Sequence, residues 1–505
     1  MLGGLAAASS LLTLVPSGAA ASGHVVVIET RGWGHGVGMA QDGALAMGQD
    51  GASAADILGH FYPGTSLTKR GGATLRVGVS ESPAPAVVVA FPGGGVVRDA
   101  LSGPQPAGFP VTVAPGGSVE LSFDGSRYRA KPLSGATLGP VPPPAPAPVA
   151  PPATPAPSPL LGPPQTLPGL LGDLLKPTTT TTAPPATPAA SAPAPGAPPP
   201  PTAATGAQSG RSLWAVPRDG SSVALPAQGR RYRGVMEATA GGGGLALVNH
   251  VDVELYLRGM GEVLDPGWPA ASLQAQAIAA RTYALASGGE LCATQACQVY
   301  LGEQAEYGAM NAAVQATRGQ VVTYGGKLIQ TFYSANAAGM SATPEEGFGG
   351  GSPDVPYLRP VTYRNADPMV NSVRLDMAEM GRRFGYGGEV SDVRVGRAGP
   401  SGRPIEVVID GTAGPLVVPG QRVWQDLSLL STLYTIRVEA PAPGEEPVPV
   451  AGEELSDATA GPSEPVAVAG LAGPASSSLG RAHWVAVAVL LMTMWGMLAR
   501  RATGR

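Results

Sequence analysis

The sequence predicts an α+β fold, with mixed helices and mainly antiparallel sheets. Three observations point there. Short β-rich runs such as "HVVVIET", "TLRVGVS", "SVELSFDG" and "LYTIRVEA" are punctuated by Gly and Pro. Helix-forming stretches with start and stop signals lie among them, above all the alanine-rich run after Trp268-Pro269. Helices and strands follow one another without a strand–helix–strand repeat, which argues against a doubly wound parallel sheet.

In chain order, Leu2 to Val15 is apolar and Ala19-Ala20-Ala21 supplies small residues, so 1–21 reads as a signal peptide cleaved after Ala21. The first folded segment, 22–138, opens with the strand His24 to Thr30 and passes into "RGWGHGVGMAQDGA". That stretch places four glycines, Trp33 and His35 within eight residues, ahead of a helix-forming run. Ser53 with Asp56 three residues later reads as a capping box, and Pro63-Gly64 ends that helix. Glycines so spaced form a tight turn where backbone approaches backbone or a ligand, and Trp33 and His35 either line a cleft or pack the turn. Metal binding by His35 and His60 lacks a carboxylate or thiolate at supporting spacing.

Between Pro140 and Pro201 lie 24 of the 54 prolines, with only Asp173 and Lys176 charged. Proline removes backbone donors and fixes φ, so 139–207 is expected to be a disordered, semi-rigid spacer with a reach on the order of 150 Å. A second such linker is expected over 440–480. The uncharged "WVAVAVLLMTMWGMLA", 484–499, followed by Arg500 and Arg501, reads as a C-terminal transmembrane helix with its tail inside. Leader and anchor together imply an extracytoplasmic chain tethered to the cell membrane. Cys292 and Cys297 are the two cysteines, and in an exported chain they are expected to form a disulfide rather than half of a zinc site. The net charge of −4 without a basic cluster makes nucleic acid an unnatural partner, and no cofactor is indicated.

The segment 208–439 carries most of the chemistry. In "VELYLRGMGEVLDPGWPAASLQAQAIAARTYALAS" a strand is expected to end near Leu257, a loop to hold Glu262 and Asp265, and a helix to run from about Ala270 to Ala286. Arg281 shares a helix side with Gln274, Ile278 and Leu285 and needs an anionic partner, for which Glu262 is the candidate.

The succession "YLRGMGEVLDPGWPAASLQAQAIAARTYAL", "CQVYLG", "AAVQATRGQVVTYGGKLIQTFYSANAAGMSA", "PYLRPV" and "SGRPIEVVIDG", together with "GWGHGVGMAQ", resembles the SpoIID/LytB family, the stage II sporulation protein D and amidase-enhancer group. The resemblance implies work on peptidoglycan glycan strands in the cell wall. One branch is a lytic transglycosylase, and the other is a non-catalytic enhancer that stimulates a wall amidase. The family's catalytic glutamate falls on Glu262 and its helix-facing arginine on Arg281, while its Y-x-G-K tyrosine and lysine fall on Tyr324 and Lys327. These last three and the cleft residues Trp33 and His35 are the implied substrate-binding groups. The loop departs from the family's Glu-Met-Pro, reading Glu-Val-Leu-Asp-Pro and running one residue longer, which makes Asp265 a rival to Glu262. The serine loop is altered to "SANAAGM".

A single glutamate suits transglycosylation. Ordinary glycosidases need two carboxylates, whereas attack by the sugar's own C6 hydroxyl lets one residue serve as acid and then base. Glu262 must then hold a proton near neutral pH, which burial favours and an adjacent Arg281 opposes. The glycine–histidine signature commonly follows the family's last strand but here precedes everything else. The domain therefore looks circularly permuted, with His24 to Thr30 expected beside Leu433 to Val438.

Overall fold

The computed structural model describes residues 23–80, 82–139, 206–218, 220–365 and 367–440. The leader 1–21, nearly all of the Pro-rich stretch 139–207 and the apolar segment 484–499 lie outside the described residues. Among those described, no helix is long and apolar enough to cross a membrane.

Two compact units make up the described residues. One comprises 23–80, 228–236 and 247–440, and the other 82–139, 206–227 and 237–246. This differs from a division at the proline-rich stretch. Residues on its two sides pair in two sheets: Trp214–Pro217 runs antiparallel to Gly95–Arg98 in one, and Ala207–Ser209 to Tyr128–Ala130 in the other. The short strands before the prolines have open edges that need backbone partners, and the strands after them supply those partners. The prolines thus interrupt a unit instead of separating two. Among its described residues this second unit is built of strands, with Val89, Phe91, Val97, Leu121 and Leu213 buried.

The first unit carries the helices. Helix α1 spans Gln41–Gln49 and α2 Ala54–Phe61. The Ser53–Asp56 capping box forms as expected, satisfying two orphan donors reciprocally. Helix α3, Val253–Arg258, occupies residues expected to end a strand. The strand stops at Asp252, whose carboxylate accepts the Glu254 N–H and starts the helix. Helix α4 runs Ala270–Ala286, and α5 Gly308–Ala316. Three shorter ones follow: α6 Pro344–Phe348, α7 Met377–Phe384 and α8 Gly420–Asp426.

Helix α4 is buried on nearly every face, and its alanines let neighbours approach closely. Ala275, Ile278 and Ala279 of α4 pack with Ile57, Leu58 and Phe61 of α2, and with Val37 and Met39 of the glycine motif. Fully burying each of the larger side chains is worth about 1.5–3 kcal/mol. A second core gathers Val26 and Ile28 with Met380, Val407, Val423 and Tyr434.

The amino-terminal strand Val25–Thr30 is the centre of a three-stranded sheet. It pairs antiparallel with Tyr434–Glu439, in register from Val25↔Glu439 to Thr30↔Tyr434, and on its other edge with Asn371–Asp376. The two strands expected side by side across some four hundred residues are hydrogen-bonded neighbours.

Candidate functional site

Glu262 follows α3 at the end of a four-residue run lying antiparallel to Val299–Gly302. Gly261 N–H donates to the Val299 carbonyl (2.8 Å), Leu301 N–H to the Gly259 carbonyl (2.9 Å), and Met260 bridges Tyr300. The approach is close enough that a Cβ on Gly259 would sit 2.7 Å from the Tyr300 ring. The ladder ends on Glu262 itself, whose Oε1 accepts the Val299 N–H at 2.6 Å. Backbone geometry therefore fixes one carboxyl oxygen.

Tyrosines surround the rest of the group. Tyr333 is hydrogen-bonded to the Glu262 carboxyl, and its hydroxyl accepts Gln298 Nε2 at 2.8 Å. Gln298 accepts the Tyr256 hydroxyl at its Oε1 (3.0 Å) and also donates to the Ala280 carbonyl. A chain of polar groups thus runs from Tyr256 through Gln298 and Tyr333 to Glu262. The residue is half-buried, and the packing around its carboxyl pushes the pKa up to about 7, with the Val299 N–H and Tyr333 pulling the other way. At neutral pH both protonation states are accessible.

Arg281 does not bear on this balance as expected. It is fully buried, and its guanidinium forks onto Glu254 of α3, with Nε to Oε1 at 3.0 Å and Nη2 to Oε2 at 2.6 Å. Its Nη1 also donates to the Gln320 carbonyl. Arg281 is therefore a structural pin between α3, α4 and the strand Gln320–Tyr324, and its expected roles as substrate holder and as partner of Glu262 are corrected. With Arg281 paired to Glu254, no cation among the described residues acts to hold Glu262 ionised.

The glycine motif enters the site through Tyr333. Met39–Ala40 runs parallel to Tyr333–Ser334, with Met39↔Tyr333 in register. Gly38 permits this contact, since a Cβ there would lie 2.1 Å from the Phe332 carbonyl oxygen, and its φ is +73°. Gly36 backs onto the buried Arg403 guanidinium, where a Cβ would lie 2.3 Å from Nη2. His35 packs against Phe348 (4.8 Å between ring centroids) and Phe332, and its Nδ1 accepts the Val37 N–H. Burial first and then Arg403 press its pKa down to about 4, opposed by a hydrogen bond to the Tyr333 backbone, so it is neutral at physiological pH. Trp33 is half-buried and its backbone pairs with Asn336.

The remaining expected residues lie elsewhere. Tyr324 and Lys327 face each other across an exposed two-residue turn, with Tyr324 against the Tyr357 ring at 5.6 Å. Neither lines the small cavity beside Glu262. Asp265 is exposed and its Oδ1 accepts the Gly267 N–H at 2.8 Å, a local turn. His60 Nε2 lies 3.0 Å from the Thr362 carbonyl. Cys292 and Cys297 are joined by a disulfide in the loop that leads to Gln298 and Val299.

The cavity itself is walled by Leu257, Met260, Val263 and Met310, by Ala277 and Ala280 of α4, and by Glu262 and Gln276. Glu254, Gln276, Gln298 and Tyr333 were not singled out from sequence. Gln298 carried a signal, directly after Cys297 in "CQVY".

Residues 241–324 match the family described as SpoIID, Stage II sporulation protein. An uncharacterized protein of Brachyspira hyodysenteriae is 36% identical over 123 residues, which is 23% of this chain and 33% of that one. The stage II sporulation protein D of Bacillus amyloliquefaciens is 44% identical over 48 residues, 10% of this chain and 14% of its own. The amidase enhancer of Bacillus subtilis is 36% identical over 96 residues, 19% and 13% respectively. The chain spans a third or less of the length of these relatives. No solved structure matches it. The matched region contains Glu254, Glu262, Gln276, Arg281 and Gln298, and through it the chain is similar to the SpoIID/LytB family.

Proposed function

We propose that this chain remodels peptidoglycan by lytic transglycosylation, with Glu262 as the single acid and base. The observation that carries the reading is a carboxyl group held by backbone and brought by burial to a pKa of about 7, with no cation among the described residues pulling it down. In the first step protonated Glu262 gives its proton to the bridging glycosidic oxygen as the C1–O bond of the muramic acid breaks. The released sugar keeps that proton as a hydroxyl. The Glu262 carboxylate then removes the proton from the C6 hydroxyl of the same muramic acid as O6 bonds to C1, closing a 1,6-anhydro ring and restoring the acid. No water is consumed. A group with its pKa at the working pH suits both halves of this cycle.

A second reading is a non-catalytic, glycan-holding amidase enhancer. It is favoured by the Glu-Val-Leu-Asp-Pro loop and by "SANAAGM", both of which depart from the family pattern, and by the match to an amidase enhancer. On either reading the chain is placed outside the cytoplasm, with a cleaved leader 1–21, a spacer 139–207 and a membrane anchor 484–499 that lets the folded part reach wall near the membrane. The strand Val25–Thr30 beside Tyr434–Glu439 supports the reading of a permuted chain order.

The test is incubation of the purified chain with peptide-free glycan strands, followed by analysis for anhydro-muramic ends. Release by the wild type and none by Glu262→Gln is expected. No release by either would favour the enhancer, and equal release by both would remove Glu262 from the mechanism.

A further inference from the structure

We propose that Gln276 recognises the N-acetyl group of the sugar bound against Glu262. This rests on the glycan-binding reading above and adds to it the substrate group that the cavity selects. Gln276 lies on α4, is 2% exposed and lines the same small cavity as Glu262. Its two amide ends are in different states. Oε1 accepts Gln41 Nε2 at 3.3 Å, whereas Gln276 Nε2 is buried without a hydrogen-bond partner.

An amide donor left unmade in an interior costs about 1–3 kcal/mol. An unpartnered glutamine amide beside Leu257, Met260, Val263 and Met310 is therefore a poor choice for packing alone. Gln41 has already taken the oxygen, so what remains is a donor only. The ligand group that pairs with it is an acceptor oxygen carried on a small apolar body, which the aliphatic side chains of the cavity would face. An acetamido group has both, with its carbonyl oxygen for Nε2 and its methyl for the aliphatic wall. The arrangement also gives the glycine–histidine signature a second task. Gln41 is the glutamine that ends "GWGHGVGMAQ", is 6% exposed and starts α1, so the motif sets which end of Gln276 is presented.

The experiment uses the full chain with Glu262→Gln, so that binding is read without cleavage. Its probes are peptide-free glycan oligomers and the same oligomers de-N-acetylated. The expected result is about 10- to 100-fold tighter binding of the acetylated probe, the worth of one satisfied buried donor. Adding Gln276→Met, which keeps the side-chain length and removes the donor, should reduce that preference to within about threefold. Gln41→Met, which frees the Gln276 amide to turn, should reduce it partly and serves where Gln276→Met fails to fold. A folded Gln276→Met or Gln41→Met chain that keeps the full preference would overturn the assignment, as would a parent that binds both probes equally. Binding of neither probe would overturn the glycan reading itself, and this one with it.

Discussion

Replacing Glu262 by Gln should make the protein more stable above neutral pH while removing its proposed chemistry. In the folded chain the carboxyl titrates at about 7, against an ordinary value of 4.5. For a carboxyl whose folded pKa is raised, the sign runs opposite to the usual acid case. Below about 4.5 the group is neutral in both states and has no pH-dependent effect. As pH rises from 4.5 towards 7 the unfolded chain ionises and the folded chain does not, so stability falls, and above 7 the loss is complete. At about 1.36 kcal/mol per tenfold change, the gap amounts to about 3 kcal/mol. Glutamine removes the ionisation and keeps an oxygen for the Val299 N–H. The assay is urea unfolding of wild type and Glu262→Gln at pH 4 and pH 8, following the unit that contains α4. Taking the difference between the two proteins cancels the other titrating groups. The variant should gain about 3 kcal/mol on the wild type between the two pH values, and identical pH dependence would refute a raised Glu262.

Three further predictions test the surroundings. Tyr333→Phe removes a bond that favours ionised Glu262, so the carboxyl midpoint should rise from about 7 by about one pH unit, read by carbon NMR of the labelled side chain. A fall or no change would remove Tyr333 from the site. Glu254→Gln leaves a fully buried Arg281 with no carboxylate and should cost about 3–5 kcal/mol in chemical denaturation, whereas an effect under about 1 kcal/mol would show that the arginine is satisfied by the Ala277, Val314 and Gln320 carbonyls. Gly36→Ala forces a methyl towards Arg403 at φ +75° and should cost more than about 2 kcal/mol in thermal or urea unfolding, with no cost if the turn relaxes freely.

Local signals were the legible part of this fold. The Ser53–Asp56 capping box and the alanine-rich helix, found at Ala270–Ala286, follow from short-range chemistry that no tertiary contact overrides. The pairing of Val25–Thr30 with Tyr434–Glu439 was readable because motif order pointed to it. What failed depended on contacts distant in sequence. The alternation in "VDVELYLR" suits a strand as well as a helix, and Asp252 capping decides for the helix. Turning that segment into α3 aims Glu254 at Arg281, which spacing along the chain assigned to Glu262. The same swap resolves the conflict over a protonated Glu262, since the cation that would have lowered its pKa is already neutralised. Tyr333, placed by strand pairing with Met39–Ala40, has no local sequence mark.

The most direct test of Glu262 as sole acid and base is cleavage of peptide-free glycan in water enriched in oxygen-18, with mass analysis of the new ends. The proposed cycle predicts anhydro-muramic ends without the label, because O6 and not water attacks C1. Labelled reducing ends would mean that water is activated at this site, contradicting the account of a single carboxyl cycling one proton.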